Sequence, residues 1–88
     1  MKLSQKVKIK NSLGLHARPA TMVAKLLQLY KSSVTFTYRK ETINARSIMS
    51  ILMLAASRNS QITITAEGED AEEVLGKLVE AFEKKFGE

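Results

Sequence analysis

The strongest constraint on this chain is a hydrophobic period that switches repeatedly between two residues and 3.6 residues. Between positions 3 and 10, Leu3, Val7 and Ile9 fall on one face with Gln5, while Lys6, Lys8 and Lys10 fall on the other. This alternation predicts a half-buried strand with a basic outer face. Asn11-Ser12-Leu13-Gly14 breaks it and predicts a loop. From His16 the spacing turns helical, with Ala20, Val23, Ala24, Leu27 and Tyr30 on one side. Pro19 fits only in a first helical turn, where its missing N–H is not needed, so the helix starts at His16 or Ala17.

The remaining elements follow in the same way. Val34, Phe36 and Tyr38 alternate with Thr35, Thr37 and Arg39 and predict a second strand. A polar turn at Arg39-Lys40-Glu41 leads to a short third strand around Thr42 to Ala45. Ser47 is placed to cap a short helix from 47 to about 56, carried by Ile48, Ile51, Leu52 and Ala55. Arg58-Asn59-Ser60 predicts a turn, with Asn tolerating a left-handed conformation. Ile62, Ile64 and Ala66 mark a fourth strand. Asp70 and Glu73 have the spacing of a capping box. After them Ala71, Val74, Leu75, Leu78, Val79, Phe82 and Phe86 make the stripe of a last helix, which Lys84 and Lys85 close. The order βαββαβα over residues 1–88 predicts one α+β domain. It is an open-faced β-sandwich, a four-stranded antiparallel sheet with three helices on one face and water on the other.

Composition narrows the chemistry. There is no cysteine and a single histidine, which excludes disulfides, thiolate catalysis, Cys-ligated metals and multi-histidine metal sites. No apolar run resembles a signal peptide, and the longest wholly apolar stretch, Ile51 to Ala56, is far shorter than a membrane span. The expectation is a cytoplasmic protein without membrane insertion. Fourteen basic residues against nine acidic give a net charge of +5. That charge suits an acidic partner protein, a phosphorylated ligand or a nucleic acid.

Gly14-Leu15-His16-Ala17-Arg18-Pro19-Ala20 concentrates the reactive groups. A histidine at a helix start lies beside unpaired backbone N–H groups that favour anions, phosphate above all. Arg18 offers fixed donors to a tetrahedral oxyanion, and Pro19 stiffens the turn that holds the two side chains. A lone histidine here can also be a plain cap. Ser47 likewise reads as an ordinary helix cap when taken alone.

The whole heptad resembles the active-site motif of HPr, the histidine phosphocarrier family of the phosphoenolpyruvate-dependent sugar phosphotransferase system. A second stretch, Asn44-Ala45-Arg46-Ser47-Ile48-Met49, matches another signature of that family. The resemblance covers essentially the whole chain, element order included. It implies that His16 carries a phosphoryl group on Nδ1 and that Arg18 stabilises it. It implies enzyme I as donor and the A component of a sugar-specific enzyme II as acceptor. It also implies regulation at Ser47 by an HPr kinase/phosphorylase where that enzyme exists. The carrier would be a monomer, would need no cofactor or metal, and would not itself be an enzyme. Departures from the family pattern are Ser50 and Asn59 at positions where glycine is common, and a turn at Arg39-Lys40-Glu41 without its usual glycine.

Within the family, the first two helices form the docking surface. That assigns Ala17, Thr21, Lys25, Arg46, Ile48, Met49, Leu52 and Met53 to partner binding. Methionines suit a surface that must fit several partners, and the basic residues favour acidic ones. Three other readings compete. A purely regulatory HPr-like protein acting through Ser47 would lack the histidine, which is present. A carrier of a nitrogen-linked branch is poorly separated by sequence. A small nucleic-acid-binding domain would display stacking aromatics on its open sheet face, whereas Phe36 and Tyr38 share the inward face of Val34.

Overall fold

The computed structural model describes all 88 residues. Strand β1 (Lys2–Lys8) leads to helix α1 (Ala17–Leu27), then β2 (Ser33–Tyr38), β3 (Glu41–Asn44), α2 (Ile48–Met53), β4 (Gln61–Glu67) and α3 (Ala71–Glu83). The expected order is therefore present. The sheet order is β1-β4-β2-β3, and every neighbouring pair is antiparallel. β4 lies centrally, so Val7 faces Ile62 across one seam and Phe36 faces Ile64 across the other.

One sheet face is apolar because the two-residue period puts Val7, Val34, Phe36, Ile62, Ile64 and Ala66 on it. These side chains join Val23 and Leu27 of α1, Ile51 of α2, and Val74, Leu78 and Phe82 of α3 in one buried cluster. Burying each large apolar side chain contributes about 1.5–3 kcal/mol relative to leaving it in water. Phe36 and Phe82 meet edge to face at 5.8 Å, which fixes α3 over the sheet. The opposite face is polar, with Ser4–Thr65 and Thr37–Thr42 hydroxyl pairs bridging strands at 2.9 Å. No helix is long and apolar enough to cross a membrane.

Three expectations are corrected. The apolar stripe of α3 does not run unbroken to Phe86, since the helix stops at Glu83. Lys85 and Phe86 adopt left-handed dihedrals, and Gly87 follows with φ +78°. This turn returns Phe86 to the core, where its ring packs 4.8 Å from that of Phe82. Helix α2 ends at Met53, earlier than its pattern suggests, because Ala55 is left-handed and breaks it. Asp70 and Glu73 do not form a capping box. Asp70 instead accepts from the Lys31 N–H at 2.8 Å, the Ser32 N–H at 2.9 Å and the Ser32 hydroxyl. Glu73 accepts from the Tyr30 hydroxyl at 3.0 Å. Both carboxylates therefore tie α3 to the α1–β2 connection, a long-range job that local spacing does not reveal. The turns at Arg39 and Asn59 are left-handed, at φ 58° and 73°, so the positions without glycine keep the turn geometry.

The bonds to Asp70 carry a pH signature. The Ser32 hydroxyl first, and then the Lys31 N–H, hold its carboxyl below the ordinary value of 3.8. A folded-state value below the unfolded one stabilises the fold above the unfolded value, and that stabilisation is lost as pH falls through the folded value. Asp70→Asn should therefore lower the urea midpoint at neutral pH. It should also flatten the loss of stability that the parent protein shows below about pH 4. Parallel acid limbs for the two proteins would contradict this.

Candidate functional site

The site is set where β1 leaves the sheet and α1 begins. Gly14 turns the chain at φ +69°, and a Cβ there would lie 2.4 Å from the Ala56 carbonyl oxygen. No other residue fits that approach. The same carbonyl accepts the Leu15 N–H at 3.1 Å, and Leu15 is buried. Below it, Ile9 and the 59–60 turn exchange backbone hydrogen bonds at 2.8 and 2.9 Å. The loop is thus braced along its length by the α2–β4 connection. His16 then has extended dihedrals and is the residue that caps α1, with its carbonyl accepting the Ala20 N–H at 3.1 Å. Its side chain makes no capping bond. Pro19 sits buried in the first turn, as expected.

The two imidazole nitrogens differ in environment. Nε2 is buried and lies 2.7 Å from a carboxylate oxygen of Glu88, off the axis of a straight hydrogen bond. Nδ1 has no protein partner and is the ring nitrogen left accessible. Arg18, the second residue of α1, is exposed and forms no ion pair within the chain. The first turn of α1 carries no acidic residue, so its positive end is not neutralised from within the helix. An accessible imidazole nitrogen at the cap, free N–H groups in the first turn and the unpaired guanidinium of Arg18 follow one another along the start of α1. This arrangement can receive a phosphoryl group on nitrogen and hold its oxygens. No cluster of three potential metal ligands exists in the chain.

Helices α1 and α2 pack against each other, which brings the other sequence-selected residues to one side. Ala17 and Lys25 are exposed, and Thr21 is half-buried with its hydroxyl donating to the Ala17 carbonyl at 2.8 Å. Ile48, Met49 and Met53 project into solvent, Met49 and Met53 being 68% and 74% exposed. Two residues assigned to this surface also make contacts within the fold. Leu52 is half-buried against the core. Arg46 binds the carbonyls of Leu27, Tyr30 and Ser32 at 2.7–2.8 Å, so its guanidinium closes the end of α1. Arg46 stays exposed while it clasps the end of α1, and Arg18 and Lys25 are the cations of this surface without a bond or ion pair in the chain. Ser47 caps α2 as expected, with Oγ accepting the Ser50 N–H at 3.1 Å.

Sequence reasoning missed Asn11 and Glu88. Asn11 is 2% exposed and donates to the Gly14 carbonyl at 2.7 Å and to Glu88 at 3.0 Å. An asparagine at the break between strand and glycine turn is a recognisable loop signal. Glu88 carries none, because only the left-handed turn at Lys85–Gly87 brings it back to His16. A shallow apolar groove between α1 and α3, lined by Met22, Leu26, Ala81 and Phe86 among others, does not include His16.

Known proteins share this fold and much of this sequence. The family model "PTS HPr component phosphorylation site" matches residues 3–84. The phosphocarrier protein HPr of Chlamydia muridarum is 49% identical over 80 residues, which span 91% of this chain and 77% of that protein. The crystal structure of HPr-C-His from Thermoanaerobacter tengcongensis superposes with a TM-score of 0.93 at 37% identity, covering 98% of this chain and 97% of that one. A crystal structure of an HPr dimer from the same organism superposes at 0.78 with 39% identity over 93% and 94% of the two chains, so chains of this fold also assemble in pairs. With fold and phosphorylation-site region shared over nearly its whole length, this chain belongs to the HPr family of phosphocarrier proteins.

Proposed function

We propose that His16 is the phosphoryl acceptor of this carrier and that Nδ1 is the atom that bonds phosphorus. The observation that carries this reading is the asymmetry of the ring, with Nε2 buried against Glu88 and Nδ1 open. The donor is phosphorylated enzyme I. The Nδ1 lone pair attacks phosphorus, the donor's N–P bond breaks, and its electron pair returns to the donor imidazole. The reverse displacement passes the group to the A component of an enzyme II. Arg18 and the free N–H groups of α1 balance the phosphoryl charge in both directions. The partner supplies what the chain lacks, a substrate pocket and a second catalytic group, so the protein is a stoichiometric carrier. Histidine, arginine and docking face all lie within one copy, which supports action as a monomer.

The apolar residues Ile48, Met49 and Met53, beside Arg18 and Lys25, form the docking face. Its unpaired cations favour acidic partner surfaces and speed encounter. Ser47 lies on this face, half-buried at the edge of α2. A phosphate placed there by an HPr kinase/phosphorylase would set a charge of about −2 among the docking residues and weaken transfer from enzyme I.

Incubation with enzyme I, Mg²⁺ and phosphoenolpyruvate should add about 80 Da in an acid-labile linkage, as expected of one phosphohistidine. His16→Ala should abolish the gain. An unmodified parent protein, beside another HPr labelled in the same mixture, would remove the proposal. Ser47→Asp should keep the fold, because aspartate also caps helices, yet accept phosphoryl groups about tenfold more slowly through charge repulsion at the docking face. Equal rates for Ser47→Asp and the parent would remove the regulatory part alone.

A further inference from the structure

We infer that Met49 and Met53 are a paired oxidation site through which peroxide weakens docking of the carrier. The inference rests on the docking face proposed above and adds a chemical change that this face undergoes.

The two side chains are the most exposed large apolar groups of α2. That helix, Ile48–Met53, holds no charged residue. Met49 and Met53 lie four positions apart, so they stand side by side on one face of it. Neither belongs to the buried cluster or to the partly buried residues packed on it. Both are therefore open to a small oxidant in the free carrier. The other two methionines are placed differently. Met22 is only 42% exposed and lines the groove between α1 and α3 with Leu26 and Phe86. Met1 is exposed but lies ahead of β1, where its carbonyl accepts the Gly68 N–H at 2.9 Å. The chain has neither cysteine nor tryptophan, so no thiol or indole competes with the thioethers for an oxidant.

The oxidant is hydrogen peroxide. A sulfur lone pair attacks one peroxide oxygen and the O–O bond breaks. The departing hydroxide takes the proton from the transferred oxygen and leaves as water. Sulfur gives up two electrons and peroxide gains them. The product is a sulfoxide, polar and chiral where the thioether was apolar and adaptable. In the free carrier the new oxygen faces water. In a docked complex it enters an apolar contact and loses that water, so the cost falls on the complex alone. Nδ1 of His16 is untouched, so the change acts on partner binding and not on phosphoryl transfer itself. Methionine sulfoxide reductases return the thioether, which makes the change reversible. Unlike a phosphate on Ser47, it adds no net charge to the face.

The test treats the 88-residue protein with hydrogen peroxide until Met49 and Met53 are converted, then removes the peroxide with catalase. Peptide mapping should find gains of about 16 Da at Met49 and Met53 before Met22, in the order of exposure. Circular dichroism should be unchanged. With phospho-enzyme I as donor, KM for the oxidised carrier should rise about tenfold at unchanged kcat, as expected for a polar group buried without a partner. Reductases for both sulfoxide epimers should restore the original KM. The double variant Met49→Leu with Met53→Leu keeps Met1 and Met22. Its KM, whatever its starting value, should not change on peroxide treatment. An oxidised parent with unaltered KM, a double variant as sensitive as the parent, or oxidation of Met22 first would overturn the inference, as would loss of helical signal on oxidation. An untreated parent that accepts no phosphoryl group would remove the carrier reading and this inference with it. Normal transfer by the untreated parent, with no effect of oxidation, would remove this inference alone.

Discussion

The approach of the Gly14 turn to the Ala56 carbonyl is the constraint on which the site depends. Its backbone lies where a Cβ would stand 2.4 Å from that oxygen, and the next N–H bonds the same atom. The contact ties the exit of β1 to the segment that follows α2. It therefore couples the start of α1 to the segment that leaves α2. Without it, His16 would stand on a free loop, and the orientation of its ring would be averaged. With it, the imidazole has one buried and one accessible nitrogen, as the proposed acceptor role requires.

The elements that were legible in sequence were those whose side chains alternate or repeat against a single core. Val7, Phe36, Ile62 and Ile64 mark the strands because each stands on the inner face of one sheet. The His16-to-Ala20 segment was legible because proline, glycine and helix-start rules act within a few residues. What escaped were groups whose partners lie far along the chain. Asp70 and Glu73 have the spacing of a local cap but bind Ser32, Lys31 and Tyr30 instead. Arg46 looks like a surface cation and holds three carbonyls of the α1–β2 connection. Phe86 has the apolar character of the α3 stripe, and its burial follows, but through a left-handed turn that periodicity does not encode.

These long-range ties explain how so small a domain holds a reactive group steady. The sheet and three helices provide one core, and α3 is fastened to the α1–β2 connection by Asp70 and Glu73. The turn after α3 then returns toward β1's exit and places Glu88 at Asn11 and His16. The loop before α1 is held by backbone bonds of Ile9 and Leu15 to the 56–60 segment, and the Glu88 side chain adds contacts at Asn11 and His16. The net charge of +5, diffuse in the sequence, resolves into clasped cations such as Arg46 and Lys10 and unpaired ones such as Arg18 and Lys25. The unpaired pair lies along α1, where the phosphoryl group and an acidic partner would meet it.

The most direct measurement is ¹⁵N–³¹P correlation spectroscopy of the phosphorylated protein with labelled histidine, which identifies the nitrogen bonded to phosphorus. A single adduct on Nδ1 of His16 is the predicted result, because that nitrogen alone is open. Phosphorus on Nε2, or on both nitrogens, would contradict the geometry that sets this site.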